Sequence, residues 1–229
     1  MDFQRGIEFH TFSITARCER TGRLGVGIAT RAIAVASRCP FVQANVGAVA
    51  TQASTDPRLG RLALHLLDLG YSAEKTLKEL EASDPHIEYR QLAVVDRDGN
   101  AAARTGTENR DWAGHLVAKN YVAMGNVLLG PHVAEAMAHA FETSGDEDLE
   151  ERLMRAIEAA RDAGGQHGGQ TSAGLLVYDR EVFSRVDLRV DHHEEPIGEL
   201  RRVFELYKPE TEFFNLRPID PTIPSPAGD

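Results

Sequence analysis

Thr11-Phe12-Ser13-Ile14-Thr15-Ala16-Arg17-Cys18, then Glu19-Arg20-Thr21-Gly22-Arg23, then Leu24-Gly25-Val26-Gly27-Ile28-Ala29-Thr30, is the stretch whose reading decides the fold. In its first part Phe12, Ile14, Ala16 and Cys18 alternate with Thr11, Ser13, Thr15 and Arg17, the period of a strand with one polar face. Residues 19–23 supply a turn, and Leu24, Val26, Ile28 and Thr30 then alternate with Gly25, Gly27 and Ala29. The result is a β-hairpin. Its second strand is nearly bare on the glycine side, so a helix or another backbone is expected to pack closely there.

Working outward, a third strand at Val46 to Gln52 is expected to join this pair. Leu59, Leu62, Leu66 and Leu69 then mark a helix, and Ser72 is a plausible N-cap for a second one after the stop at Gly70. Strands return at Gln91 to Arg97 and Ala101 to Thr105 around an Asp98-Gly99-Asn100 turn, and again around Leu116 to Met124. Pro131 opens another helix pair, striped by Val133, Ala136, Met137, Ala140 and Phe141 and then by Leu149, Leu153, Ile157 and Ala160. The glycine-rich loop from Gly164 to Gly169 leads to strands at Ser172 to Tyr178 and Val182 to Val190. A helix begun by Pro196 turns Ile197, Leu200, Phe204 and Tyr207 inward. Five prolines (209, 218, 221, 224 and 226) fall in the last 22 residues, which reads as a Pro-rich tail that forms neither a helix nor a central strand.

Hairpins clustered between helix pairs argue for an α+β fold of two antiparallel sheets flanked by helices. A dinucleotide fold is disfavoured, because no G-x-G-x-x-G opens into a helix. The expected organisation is a leader or extension at 1–10, one domain at 11–207 and the tail at 208–229. The chain has 229 residues, 42% hydrophobic and 26% charged, enough apolar material for a sizeable core. A net charge of −10 repels nucleic-acid phosphates and anionic lipid, so neither is an expected partner. No apolar run approaches the ~18 residues that cross a bilayer. Two cysteines, Cys18 and Cys39, make no disulfide framework, and a cytoplasmic location is expected.

Several of these segments together carry a resemblance. Thr11 to Arg17, Gly47-Ala48-Val49-Ala50-Thr51-Gln52, Gly125-Asn126, Gln170-Thr171-Ser172-Ala173 and Asp187-Leu188-Arg189-Val190-Asp191 resemble, in that order, the prokaryotic family called domain of unknown function 1028. The resemblance spans about Thr11 to Tyr207. It implies the N-terminal-nucleophile (Ntn) hydrolase fold, a four-layer αββα sandwich shared with proteasome subunits and penicillin acylases. In such enzymes the first residue of the first strand attacks a carbonyl while its own α-amine, titrating near ~8, takes the proton. The matching position is Thr11. Here nine residues, Asp2 to His10, separate it from the initiator methionine, so that amine exists only if the His10–Thr11 bond is cut.

The resemblance further places Arg31 near the nucleophile, and makes Gln52, Asn126, Gln170 and Ser172 candidates for orienting a substrate amide or holding an oxyanion. Their plainer reading is satisfaction of buried backbone groups at strand ends. Ser13 shares the strand face of Thr11 and either points into a cleft or faces solvent. Asp187 and Arg189, two apart on one strand face, read as a salt bridge or as a carboxylate-recognition pair. Asp191-His192-His193 lacks metal-ligand spacing, and no metal or cofactor is expected. The Gly164–Gly169 run is either an anion cradle or a helix-to-strand loop. The readings to be separated are an amide-bond hydrolase acting on a small or peptide-like substrate, a binding protein on the same fold, and an oligomeric scaffold. A homo-oligomer is expected in each case.

Overall fold

The structure is a computed structural model that describes residues 10–225. Among these residues ten strands form two antiparallel sheets. The larger contains β1 (Thr11–Arg17), β2 (Leu24–Thr30), β7 (Gly114–Ala118), β8 (Tyr121–Asn126), β9 (Ser172–Tyr178) and β10 (Val186–Val190), ordered β10-β9-β2-β1-β8-β7. The smaller contains β3 (Pro40–Gln43), β4 (Gly47–Ala53), β5 (Arg90–Asp96) and β6 (Ala101–Thr105), ordered as they occur in the chain.

Helices α1 (Pro57–Asp68) and α2 (Ala73–Ser83) cover the small sheet, and α3 (Pro131–Thr143) and α4 (Leu149–Asp162) cover the large one. α5 (Pro196–Tyr207) lies along the β9–β10 edge. The pleat sorts the residues into three cores. Phe12, Ile14 and Ala16 face Met137, Leu153 and Ile157 of the helices. On the other side of the same sheet, Val26, Ile28, Val122 and Met124 meet Ala48, Ala50, Ala93 and Val95. Val49, Leu92 and Val94 then look outward to Leu59, Ala63, Leu67, Leu77 and Leu80. That is a four-layer αββα sandwich.

The bare side of β2 is where α4 docks. A Cβ on Gly25 would lie 2.8 Å from Leu153 Cδ1, and one on Gly27 would lie 3.1 Å from the Leu153 carbonyl oxygen. Ser72 caps α2 as expected, its hydroxyl accepting from the Lys75 amide at 3.3 Å.

Five expectations need correction. The strand expected at 46–52 belongs to the small sheet, where it pairs with β5, because alternation assigns a face and not a neighbour. The segment at 116–124 is a hairpin, β7 and β8 joined through Lys119 and Asn120, with Asn120 at φ 72°. Asn adopts that left-handed conformation readily, and an Asn-Gly cue is not required. The last strand starts at Val186, and Val182 is 95% exposed. In α1 the inward stripe is Leu59, Ala63 and Leu67, spaced four apart, whereas Leu69 is exposed. The tail contains α6 (Thr211–Leu216), a short helix fitted between Pro209 and Pro218.

Candidate active site

At one end of the sandwich four polar residues stand in a row. Strand register places Asn126 of β8 beside Thr11 of β1, Thr11 beside Thr30 of β2, and Thr30 beside Ser172 of β9. All four are buried and project toward the small sheet, the face set by the neighbouring Ile28 and Met124. Each then has a distinct partner. The Thr11 and Thr30 hydroxyls are 2.9 Å apart, and Thr30 donates onward to the His10 carbonyl at 2.6 Å. The same carbonyl accepts from the Arg31 amide at 3.1 Å. Two donors therefore converge on the carbonyl of the peptide bond that precedes Thr11. His10 is itself anchored, since its Nδ1 donates to the His167 carbonyl.

Ser172 braces the wall beyond. Its hydroxyl donates to the Ala32 carbonyl at 2.6 Å and accepts from the Val35 amide at 3.1 Å, which fixes the loop after β2. Thr171 adds two bonds, amide to the Thr30 carbonyl at 2.8 Å and hydroxyl to the Arg31 carbonyl at 2.7 Å. Between this loop and β4–β5 opens a cleft of about 790 Å³, with Thr11 and Thr30 at its floor and Arg31, Arg38, Arg90 and His192 on its walls. Burial pushes the Cys39 thiol in its lining up to about 11, so it is protonated at neutral pH. Arg90 is held from behind by Asp84 at 2.8 Å. Burial pushes the Asp84 carboxyl up, but hydrogen bonds from Arg90 and the His86 amide outweigh it and keep it below the ordinary carboxylate range.

On the other side of Thr11 the space between the sheets is filled by a polar network. Ser13 donates to Gln52 Oε1 at 2.7 Å, and Gln52 Nε2 donates to Gln91 Oε1 at 2.7 Å. Asn126 Nδ2 reaches that same oxygen at 3.1 Å. Gln91 Nε2 in turn lies 2.8 Å from the Gly125 carbonyl and 2.9 Å from the Thr105 hydroxyl, which contacts His115 Nδ1. Burial holds His115 below its ordinary value, hence neutral at pH 7. One acceptor, Asn126 Oδ1, has no partner among the described residues.

The chain as a whole has known relatives. The sequence from residue 11 to residue 200 matches the family of unknown function DUF1028. The chain belongs to that family. A DUF1028 protein of known crystal structure from Silicibacter pomeroyi is 36% identical, with a TM-score of 0.80 over 86% of this chain and 89% of that one. Anbu, the ancestral beta-subunit from Yersinia bercovieri, is 11% identical, with a TM-score of 0.43 over 93% and 98% of the two chains. Among curated proteins none matches the chain.

Within this DUF1028 chain, the candidates Thr11, Ser13, Gln52, Asn126 and Ser172 come together around one strand end, and Arg31 edges the cleft. Ser13 is fully buried between the sheets, not solvent-facing. Gln170 packs beside Gly165, outside the cleft lining. Asp187 and Arg189 are exposed on the edge strand β10, and Arg189 pairs with Asp191 at 3.2 Å. In the 164–169 loop the amides of Gly165, His167 and Gly169 already donate to the carbonyls of Ala160, Val127 and Gln166. Those bonds make it the helix-to-strand loop of the two readings. No group of three metal-ligating side chains occurs among the described residues. Thr30, Thr171, Gln91 and Arg38 were not singled out from the sequence as site residues. Of these, Gln91 had a signal, a lone amide heading the apolar run Leu92-Ala93-Val94-Val95.

Proposed function

We propose that this protein is an amide-bond hydrolase of N-terminal-nucleophile type, with Thr11 as nucleophile, exposed by cleavage of its own His10–Thr11 bond. The observation that carries this reading is the pair of donors, the Thr30 hydroxyl and the Arg31 amide, on the His10 carbonyl beside the Thr11 hydroxyl. Attack of Thr11 Oγ1 on the His10 carbonyl carbon closes a five-membered ring, and the oxyanion so formed inherits both donors. Collapse breaks the C–N bond. The hydroxyl proton ends on the leaving nitrogen, which gives an ester on Thr11 and a free α-amine; water then releases the His10 carboxylate.

The freed amine is a base near ~8, beside its own hydroxyl. A substrate carbonyl placed where that of His10 stood meets the same two donors. Asn126, next to Thr11 in register and with an Oδ1 that has no partner among the described residues, is the acceptor we assign to the freed amine. The family match that begins at residue 11 accords with this reading. The expected substrate is a small or peptide-like amide.

A second reading, a binding protein on the same fold, is favoured by the bonds that secure His10 at both its carbonyl and its ring. Intact mass and N-terminal sequencing of the expressed protein separate the two. Hydrolase activity requires a species beginning at Thr11 that Thr11→Ala never forms, or amide hydrolysis by a variant in which Thr11 directly follows a removable methionine. An uncut protein and an inert trimmed variant would leave the binding reading.

A further inference from the structure

We infer that the Thr11 cleft binds a small molecule carrying a carboxylate, gripped by Arg31 and Arg38, with an aliphatic portion against Ile33 and Val35. This deepens the hydrolase reading by naming its substrate class, and rests on that reading only for what happens after binding.

The chain has ten more acidic than basic side chains, a net charge of −10, yet among the described residues no Asp or Glu lines this cleft. Three arginines do. Their surroundings differ. Arg90 is neutralised, with Asp84 at 2.8 Å and Asp56 at 3.9 Å, and its guanidinium also donates to the Ser54 carbonyl. Arg31 and Arg38 are exposed, and neither guanidinium has a carboxylate partner among the described residues. Other arginines packed beside the sheets do take one: Arg23 from Asp179, Arg185 from Glu150, Arg201 from Glu158.

Asp191 is the acid nearest in sequence to the cleft residue His192, and it is engaged by Arg189. Asp56, Asp84 and Asp191 are thus each engaged already, by Arg58, Arg90 and Arg189. The loop bearing both arginines is fixed by Ser172 and Thr171, so the two cations are held on a braced wall. Planar guanidinium forks suit carboxylate geometry. Ile33, 67% exposed on the same wall, supplies an apolar surface that a bare inorganic anion would not use.

The test is titration calorimetry on the full-length Thr11→Ala protein and on the trimmed Thr11→Ala variant, so that binding is read without cleavage. The probes are succinate, glutarate and N-acetylglutamate, each against its uncharged amide, with inorganic phosphate as a further arm. We expect at least one carboxylate to bind tenfold or more tightly than its amide and more tightly than phosphate. Arg31→Gln and Arg38→Gln should each weaken it about tenfold, and Arg61→Gln, on the exposed side of α1, should not. Circular dichroism confirms that each variant is folded. No carboxylate binding, equal binding of the amides, tighter binding of phosphate, or indifference to both substitutions overturns the inference. A trimmed Thr11 protein that hydrolyses only neutral amides would overturn it while leaving the hydrolase reading intact; carboxylate binding without hydrolysis would do the reverse.

Discussion

At the scale of single residues, the chemistry turns on which polar atoms are matched. Thr30 contributes one of the two donors on the His10 carbonyl, and a valine there keeps the shape of the strand while removing the hydroxyl. Loss of one oxyanion donor costs on the order of 10²-fold in rate. Thr30→Val should therefore slow appearance of the Thr11 N-terminus by about that factor, read by intact mass over time. A mass that appears at the wild-type rate removes Thr30 from the mechanism. Gln91 is the hub of the buried network, and Gln91→Leu leaves the donors of Gln52 and Asn126 facing an apolar side chain. Two buried unmatched donors at about 1–3 kcal/mol each predict a loss of about 2–6 kcal/mol in urea unfolding. A change below 0.5 kcal/mol would mean the network relaxes at no cost. Thr11 was singled out through the family resemblance, which assigns a role to the head of the first strand; Thr30 was not, because the last residue of a strand looks the same whether its hydroxyl is idle or engaged.

Among the elements, helix ends were legible to the residue where their signals are covalent or short-range. Ser72 before α2, Pro131 opening α3 and Pro196 opening α5 are such cases. Ion pairs between helices left no comparable trace. Glu151 of α4 accepts from Arg201 of α5 at 3.0 Å, Lys208 at 3.0 Å and Arg155 at 2.9 Å. Burial pushes this carboxyl up, yet the three cations outweigh it and hold it at about 2, against an ordinary 4.5. A carboxyl whose value is lowered on folding stabilises the fold above its unfolded value and ceases to do so as pH falls through the folded one. Stability should thus drop between about pH 4.5 and pH 2, and Glu151→Gln should flatten that part of the profile while costing about 1–3 kcal/mol at pH 7. Thermal unfolding across that range checks it, and an unaltered acid limb in the variant would assign the loss to other carboxylates.

For the molecule as a whole, the sequence carried the layers and not the assignment of strands to sheets. Alternation says which side chains share a face; only the meeting of β4 with β5 through Gln52 and Gln91, thirty-nine residues apart, says which sheet β4 joins. The tail shows the same limit. Its prolines restrict where a helix can run, but α6 fits between two of them and returns to the body of its own chain. There Phe214 stacks on Tyr207 with ring centroids 5.4 Å apart, Glu212 pairs with Arg185, and Asn215 donates to the Arg185 carbonyl at 3.2 Å. Arg185 is buried and keeps Glu150 at 3.0 Å, so removal of residues 209–229 strips one of its two carboxylates. The truncated protein should lose about 1–3 kcal/mol and remain folded. The same segment also displays Phe214, Leu216 and Ile219 at 42%, 49% and 60% exposure, and Leu206 of α5 is 65% exposed. These exposed apolar side chains on an acidic chain are the surface through which we expect copies to associate. Light scattering should give the full chain a mass above the 25.1 kDa of one copy, and the truncation should bring it down to one. An oligomer that survives truncation would confine the tail to its intramolecular role with Arg185 and Tyr207, and would place the contact between copies on another surface.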